Sequence, residues 1–402
     1  FISPNANEAG TLTIRVNNFS FTDAVGNFNE DGAQADNKVE IAYNTFTFDA
    51  QLTSATGNDQ ITFAATPNGD LAPGPITVAW DGTVGSSALT FSKGGLTSTV
   101  TPTGATEIVL GAGQTLELAA ADLAGDLVNV TGNGDVVLLD STVSAAKDAY
   151  ETKIDVSALS SVDVQVADSA AEILTNPGGF LNNADVATVV VAGNDAGALS
   201  VQEVSGLEGL TTDDTWAYSL DDTASNLFGT TNQVLQDATS ITVSDAANVQ
   251  QAERFVNESG SSVTFDLIDT ATSVAARSEL ADQAGDISLT TAASVAEAQN
   301  LVGFNNSGAL VYASPEAIED TAQNLLAADA SGVFDGISTN TNALGLTSSD
   351  GIGIDNDAAD ELSVAQYNAL VAIVGEPNAA PAWSYSIIDT PSVLDGLATG
   401  TA

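Results

Sequence analysis

The chain has 402 residues, seven Lys and Arg against 53 Asp and Glu, a formal net charge of -46, and no Cys, His or Met. That charge excludes electrostatic capture of nucleic-acid phosphates or anionic membrane surfaces, and the missing residue types exclude disulfides, zinc–thiolate sites and imidazole or thiolate catalysis. A hydrophobic fraction of 44% excludes a disordered chain, and no apolar run approaches the ~18 residues a membrane-spanning helix needs. The first residue is Phe1, for which a removed secretory leader is the expectation.

Residues 1–106 predict a β-sandwich-like domain. Thr11–Val16, Lys38–Tyr43, Thr45–Phe48, Gln60–Phe63, Ile76–Trp80 and Ala88–Phe91 alternate apolar and polar residues between Gly, Asn, Pro and Asp turns, the signature of half-buried strands. Phe46, Phe48, Phe63, Trp80 and Phe91 are its expected core. Residues 107–161 carry shorter strands at Glu107–Leu110, Thr115–Leu118, Leu127–Val130, Val136–Leu139 and Ile154–Val156, which predict a β-helix-like transition.

Residues 162–402 read as one unit repeated: a short strand, a polar capping residue, then an Ala-rich helix. The capping positions Asp168, Asp195, Asp222, Asp245, Asp269, Thr291 and Ser314 stand 27, 27, 23, 24, 22 and 23 residues apart, a period that marks a stacked array. The strands read as buried parallel ones. Asp, Ser or Thr after each strand accepts from an early helical N–H. Ala246, Val249, Ala252 and Phe255 follow Asp245 at helical spacing, and Pro315, Ile318, Ala322 and Leu325 follow Ser314. Right-handed crossovers at this period predict a right-handed parallel β/α solenoid. A loop insertion is expected at 331–353, and Ser363–Gln366 is a capping box. Trp383–Thr390 repeats Trp216–Thr223, so an incomplete last repeat over 383–402 is expected to need a neighbouring copy as cover.

Acidic turns are the candidate metal ligands, because calcium takes six to eight hard oxygens from carboxylates and carbonyls. The candidates are Asp31 and Asp36, Asp213 and Asp214 with Asp222, and Asp355, Asp357 and Asp360. Asp135 joins them because Thr131–Leu138 resembles one turn of the calcium-binding nonapeptide repeat of bacterial secreted toxins and adhesins. That turn stands alone, and a tight Gly/Asn turn between strands is the favoured explanation. Asn-x-Ser/Thr sequons lie at Asn18, Asn129, Asn257 and Asn305. The sequence predicts no enzyme: Ser and Thr lack a His base, and no Gly-rich phosphate loop precedes a Lys.

The strand–Asp–Thr/Ala–Ala–helix unit, as in Leu267–Ala271 and Thr242–Asn248, resembles repeats of very large bacterial cell-surface, S-layer-like and adhesin proteins. The resemblance covers residues ~162–402 and implies an extracellular structural or adhesive role, often calcium-dependent, with no catalytic residues. The expectation is a subunit that self-assembles head to tail into a layer, filament or fibre. The alternative is an adhesin or phage-fibre-type module that binds cell-surface glycans. Neither reading calls for nucleic acid or membrane insertion.

Overall fold

The computed structural model describes residues 9–15, 25, 38–44, 46–54, 59–64, 70–72, 74–79, 89–103, 105–123, 127–213, 215–313, 315–337, 342–347, 350–355, 361–374, 386–391 and 393–394. They form a mixed α/β protein whose sheets are mostly parallel, with no closed barrel. The chain divides into two compact units, residues 1–194 with 206–216, and 195–205 with 217–402.

The first unit opens with β1 (Ala9–Arg15) and β2 (Lys38–Asn44), an antiparallel pair. β3 (Phe46–Thr47) pairs with β6 (Asp70–Leu71). β4 (Asp49–Ser54) and β5 (Asp59–Ala64) join β10 (Thr106–Leu110) and β12 (Leu127–Gly132) in a sheet ordered β12-β10-β5-β4. A second sheet, ordered β15-β14-β13-β11-β7-β8-β9, takes β7 (Ile76–Ala79), β8 (Leu89–Lys93), β9 (Leu96–Val100), β11 (Thr115–Ala119), β13 (Asp135–Ser141), β14 (Ser161–Asp168) and β15 (Val186–Val191). The expected boundaries at 106/107 and 161/162 therefore fall inside hydrogen-bonded sheets.

The period-two pattern supplies the core of this unit. Ile61, Phe63, Ile108 and Leu110 from one sheet, and Phe91, Leu116, Leu118, Val136 and Leu138 from the other, are buried. Phe63 meets Phe91 edge-on at 4.9 Å between ring centroids and stacks on Phe48 at 5.8 Å, so the two sheets share one core. Phe46's side chain and Trp80 lie outside the described residues. From β10 onward the chain alternates between sheets, β10 and β12 in one, β11 and β13 in the other, each lying parallel on its predecessor. The corner between β12 and β13 needs glycine. Gly132 has φ +110°, and a Cβ there would overlap the Leu110 carbonyl. Helices α1 (Val143–Thr152) and α2 (Ala170–Thr175) follow β13 and β14.

The second unit is built on a parallel sheet in sequence order: β16 (Asp195–Leu199), β17 (Ala217–Asp222), β18 (Ser240–Ala247), β19 (Ser262–Asp269), β20 (Ile287–Leu289) and β21 (Leu310–Val311). α3 (Val201–Glu208) starts after β16. Between later strands run α4 (Ala224–Gly229) and α5 (Asn232–Asp237), α6 (Val249–Glu258), α7 (Ala271–Ala275) and α8 (Ser278–Ala281), and α9 (Val295–Leu301). Beyond them lie β22 (Glu316–Asp320), α10 (Ala322–Ala330), β23 (Gly351–Ile354), β24 (Glu361–Leu362), α11 (Val364–Val374) and β25 (Ser386–Ile387), with β22 paired to β23 and β24 to β25.

Three expectations are corrected here. The strands of the second unit are not buried on both faces. Leu220, Ile241, Val243, Phe265, Leu267 and Ile287 are buried against the helices, while the intervening Asp221, Thr242, Thr264 and Asp266 are exposed, because helices cover one face only. The helix after Asp245 begins at Val249, capped by Asn248. Ala246 continues β18, which a register shift carries on to Ala247. Ser314 lies outside the described residues, and Pro315–Ile318 does not begin a helix. Glu316–Asp320 is a strand, and the cap is Thr321. The parallel partner β23 and the bridge from Ala293 to Ile318 outweigh the helical spacing of a short segment.

Within the region expected as a loop insertion, described residues pack into the unit. Val333 and Phe334 are buried, and Leu344 and Leu346 are fully so. Asn342 pins it, its Oδ1 accepting from the Leu344 and Leu346 amides at 3.0 Å each.

Candidate functional site

Helix starts leave backbone N–H groups without partners. Among the described residues, seven starts draw on two sources. A Thr, Ser or Asn N-cap accepts from the third helical amide, as Thr142 does for Ala145, Ser169 for Glu172, Thr223 for Asn226, Thr270 for Ser273 and Thr321 for Asn324. The first helical amide is instead taken by a side chain of the following repeat. Val143 N–H donates to Asp168 at 2.9 Å, Val201 to Asp222 at 3.0 Å, and Ala224 to Asp245 at 2.6 Å. Val249 donates to Asp269 at 3.0 Å, Ala271 to Thr291 Oγ1 at 3.1 Å, Val295 to Asp320 at 2.9 Å, and Val364 to Asp389 at 3.1 Å.

Two sequence solutions produce this ladder. Where the residue before the cap is Asp, as at 168, 222, 269, 320 and 389, one carboxylate oxygen reaches back to the earlier helix. The other accepts from the cap's own N–H at 2.6–2.8 Å. Where that residue is Ala, as at Ala247 and Ala293, the acceptor sits two residues earlier, at Asp245 and Thr291. Where the acceptor is Asp, its negative charge also lies at the positive end of the helix dipole. Burial pushes Asp222 up, but donation from the Asn226 side chain and from the Thr223 and Val201 amides outweighs it and holds the pKa below the ordinary 3.8. Glu297 in the Ser294 capping box behaves alike: burial raises it, and the Ser294 amide with the Thr272 and Ser294 hydroxyls brings it below 4.5.

The predicted ligand residues divide sharply. Asp31, Asp36, Asp214, Asp357 and Asp360 lie outside the described residues. Asp135 accepts from Ser161 Oγ at 2.7 Å beside the Gly corner, Asp213 holds the Thr215 amide at 2.9 Å, and Asp355 follows β23, where its N–H donates to the Asp320 carbonyl at 3.0 Å. Asp222 is a rung of the ladder. Among the described residues no three acidic side chains gather as a metal site. The capping role assigned to Asp168, Asp222 and Asp269 belongs to the next residue in each case, and Asp195 opens β16. The recurrent Asp-Thr or Asp-Ser pair was visible in the sequence. The bond from each Asp to an amide 20–25 residues earlier has no local signature.

Elsewhere, a surface hollow of about 310 Å³ is lined by Glu253, Asn257, Arg277, Glu279 and Gln283, with Glu253 and Arg277 ion-paired across it. Another, of about 410 Å³, lies beside Tyr312, Leu344 and Phe304. Tyr312 donates to the Leu344 carbonyl at 3.0 Å, and its burial, with the charge of Asp350, pushes its pKa up to about 12. No family model, curated protein or solved structure matches the chain.

Proposed function

We propose that the chain is an extracellular structural subunit that self-assembles into a surface layer, filament or fibre, with calcium relieving repulsion between copies. The observation that carries this reading is the ladder. Seven side-chain-to-amide ties, from the starts of α1, α3, α4, α6, α7, α9 and α11, reach into the repeat that follows. They stiffen the chain along its length without using a cavity, a cofactor or a nucleophile. The finer architecture we read into the second unit is a right-handed β/α solenoid, in which each repeat leans chiefly on its neighbours. A charge of -46 opposes contact between copies, and divalent cations or high salt shorten its reach. The likeness of the strand–Asp–Thr unit to bacterial surface-layer and adhesin repeats points the same way.

The test is negative-stain electron microscopy and light scattering of the full chain, with calcium and with chelator. Ordered polymers that form with calcium and dissolve with chelator are expected. A monomer under both conditions, up to concentrations at which surface proteins assemble, refutes the reading.

A further inference from the structure

The open face of the six-stranded sheet is the surface that neither the helices nor the ladder uses. Parallel sheets usually bury both faces, yet here one face is lined by side chains that look outward. The register lines them up in rows across the strands. Ser219 stands beside Ala198, and Ser240 beside Ser262. Asp221 pairs with Thr242, and Thr242 with Thr264. Ile268 pairs with Ser288, and Ser288 with Val311. Asp221, Thr242, Thr264, Asp266 and Val311 are all exposed. Six strands at the usual separation make a face about 24 Å across.

Its charge is of one sign. β16 to β21 contain no Lys or Arg, and Asp221, Asp266 and Asp286 stand at the face and its strand starts. Asp266 and Asp286 are tied there, Asp266 accepting from the Asp286 amide at 2.8 Å and Asp286 from the Ala309 amide at 2.7 Å. Each bond uses one oxygen of its carboxylate, and the side chains stay exposed. The two arginines of this unit are committed to the helix layer. Arg254 binds the Phe228 and Thr230 carbonyls and Asn232, and Arg277 pairs with Glu253. Nothing cationic on the six strands of this sheet offsets the face.

We propose that this face docks a basic polypeptide segment of a partner protein, lying extended across the strands with Lys or Arg side chains on Asp221, Asp266 and Asp286 and its backbone over the Ser and Thr rows. The complementarity of a hydroxyl-lined face whose only charges are acidic selects that occupant and disfavours a second copy of this chain. The inference goes beyond self-assembly and does not depend on it.

About eight extended residues span the face, so the probe is a fluorescent peptide of that length alternating Lys and Ser, titrated against the full chain by anisotropy. The paired substitution Thr242→Lys with Thr264→Lys is expected to weaken binding about tenfold. Gln250→Lys with Gln299→Lys, the same charge change on exposed helix positions, is expected to weaken it less than about twofold. Equal weakening by both pairs means generic attraction to a polyanion and overturns the proposal, as does absence of peptide binding. Because the strand variants can fail to fold, carbodiimide cross-linking of the peptide to the unmodified chain is run beside them. Links at Asp221, Asp266 or Asp286 support the site, and links confined to the acids of the helix layer overturn it.

Discussion

Replacing Asp222 removes a joint rather than a surface charge. Its Oδ2 accepts from Val201 N–H at 3.0 Å, and its Oδ1 from Thr223 N–H at 2.7 Å and Asn226 Nδ2 at 2.8 Å. Asp222→Ala leaves two backbone donors without a partner and withdraws charge from two helix starts. Hydrogen bonds to a charged group contribute ~1.5–3 kcal/mol each when buried. Asp222 is only half-buried, and water replaces part of the loss. The expected cost is about 3 kcal/mol for Ala and about 1.5 kcal/mol for Asn, which keeps one acceptor. Asp221→Ala, one residue away on an exposed position, should stay within about 0.5 kcal/mol. Urea unfolding followed by tryptophan emission gives the stabilities, and buried Trp216 reports close to the site. Amide hydrogen exchange at Val201 and Thr223 gives the local effect. If Asp222→Ala matches Asp221→Ala in both, the tie between repeats contributes nothing and the ladder argument fails.

Acid should loosen the same joints. The folded pKa of Asp222 lies below 3.8 and that of Glu297 below 4.5, so their stabilisation is complete above those values and is lost as pH falls through the lower folded ones. Unfolding midpoints measured from pH 6 down to pH 2 should decline with a slope that Asp222→Asn makes shallower. An unchanged slope contradicts it. Tyr312 is raised from 10.0 to about 12, so its contribution is present below pH 10 and fades as pH rises through about 12. Absorbance near 295 nm should show tyrosine ionisation extending to about pH 12, and Tyr312→Phe should remove that last step at a cost of about 1 kcal/mol. Gly132→Ala sets a Cβ into the Leu110 carbonyl at a positive φ and should destabilise the first unit by at least about 2 kcal/mol. Thermal unfolding measures it, and a loss below about 0.5 kcal/mol would show that the corner can yield.

The sequence displayed periodicity well and partnership poorly. Alternation located β5 and β8, short runs punctuated by Gly, Asn and Asp located β10 and β13, and the Ser363 capping box forms as read, with Ser363 N–H on Gln366 Oε1 at 2.9 Å and Gln366 N–H on Ser363 Oγ at 3.2 Å. The strand at Glu316–Asp320 was hidden because Pro315 and a helical spacing of Ile318, Ala322 and Leu325 imitate a helix start, whereas the pairing that decides the matter lies at Gly351–Ile354. The open face was legible in Ser240-Ile-Thr-Val-Ser and Ser262-Val-Thr-Phe-Asp. Such alternation means one solvated face whatever the direction of pairing. Acidic turns, by contrast, carry no sign of which carboxylates are already committed to amides.

The ladder gives the chain an order in time as well as in space. The start of α6 is finished by Asp269 and that of α9 by Asp320, so the helices of the ladder depend on residues synthesised later. On a ribosome adding about 5–20 residues per second, a helix whose closing residue lies 20–25 positions downstream waits roughly a second or more, plus passage through the exit tunnel, before its first turn is secured. Nascent protein would thus mature one repeat behind its own elongation, with a single unfinished helix start at the growing front.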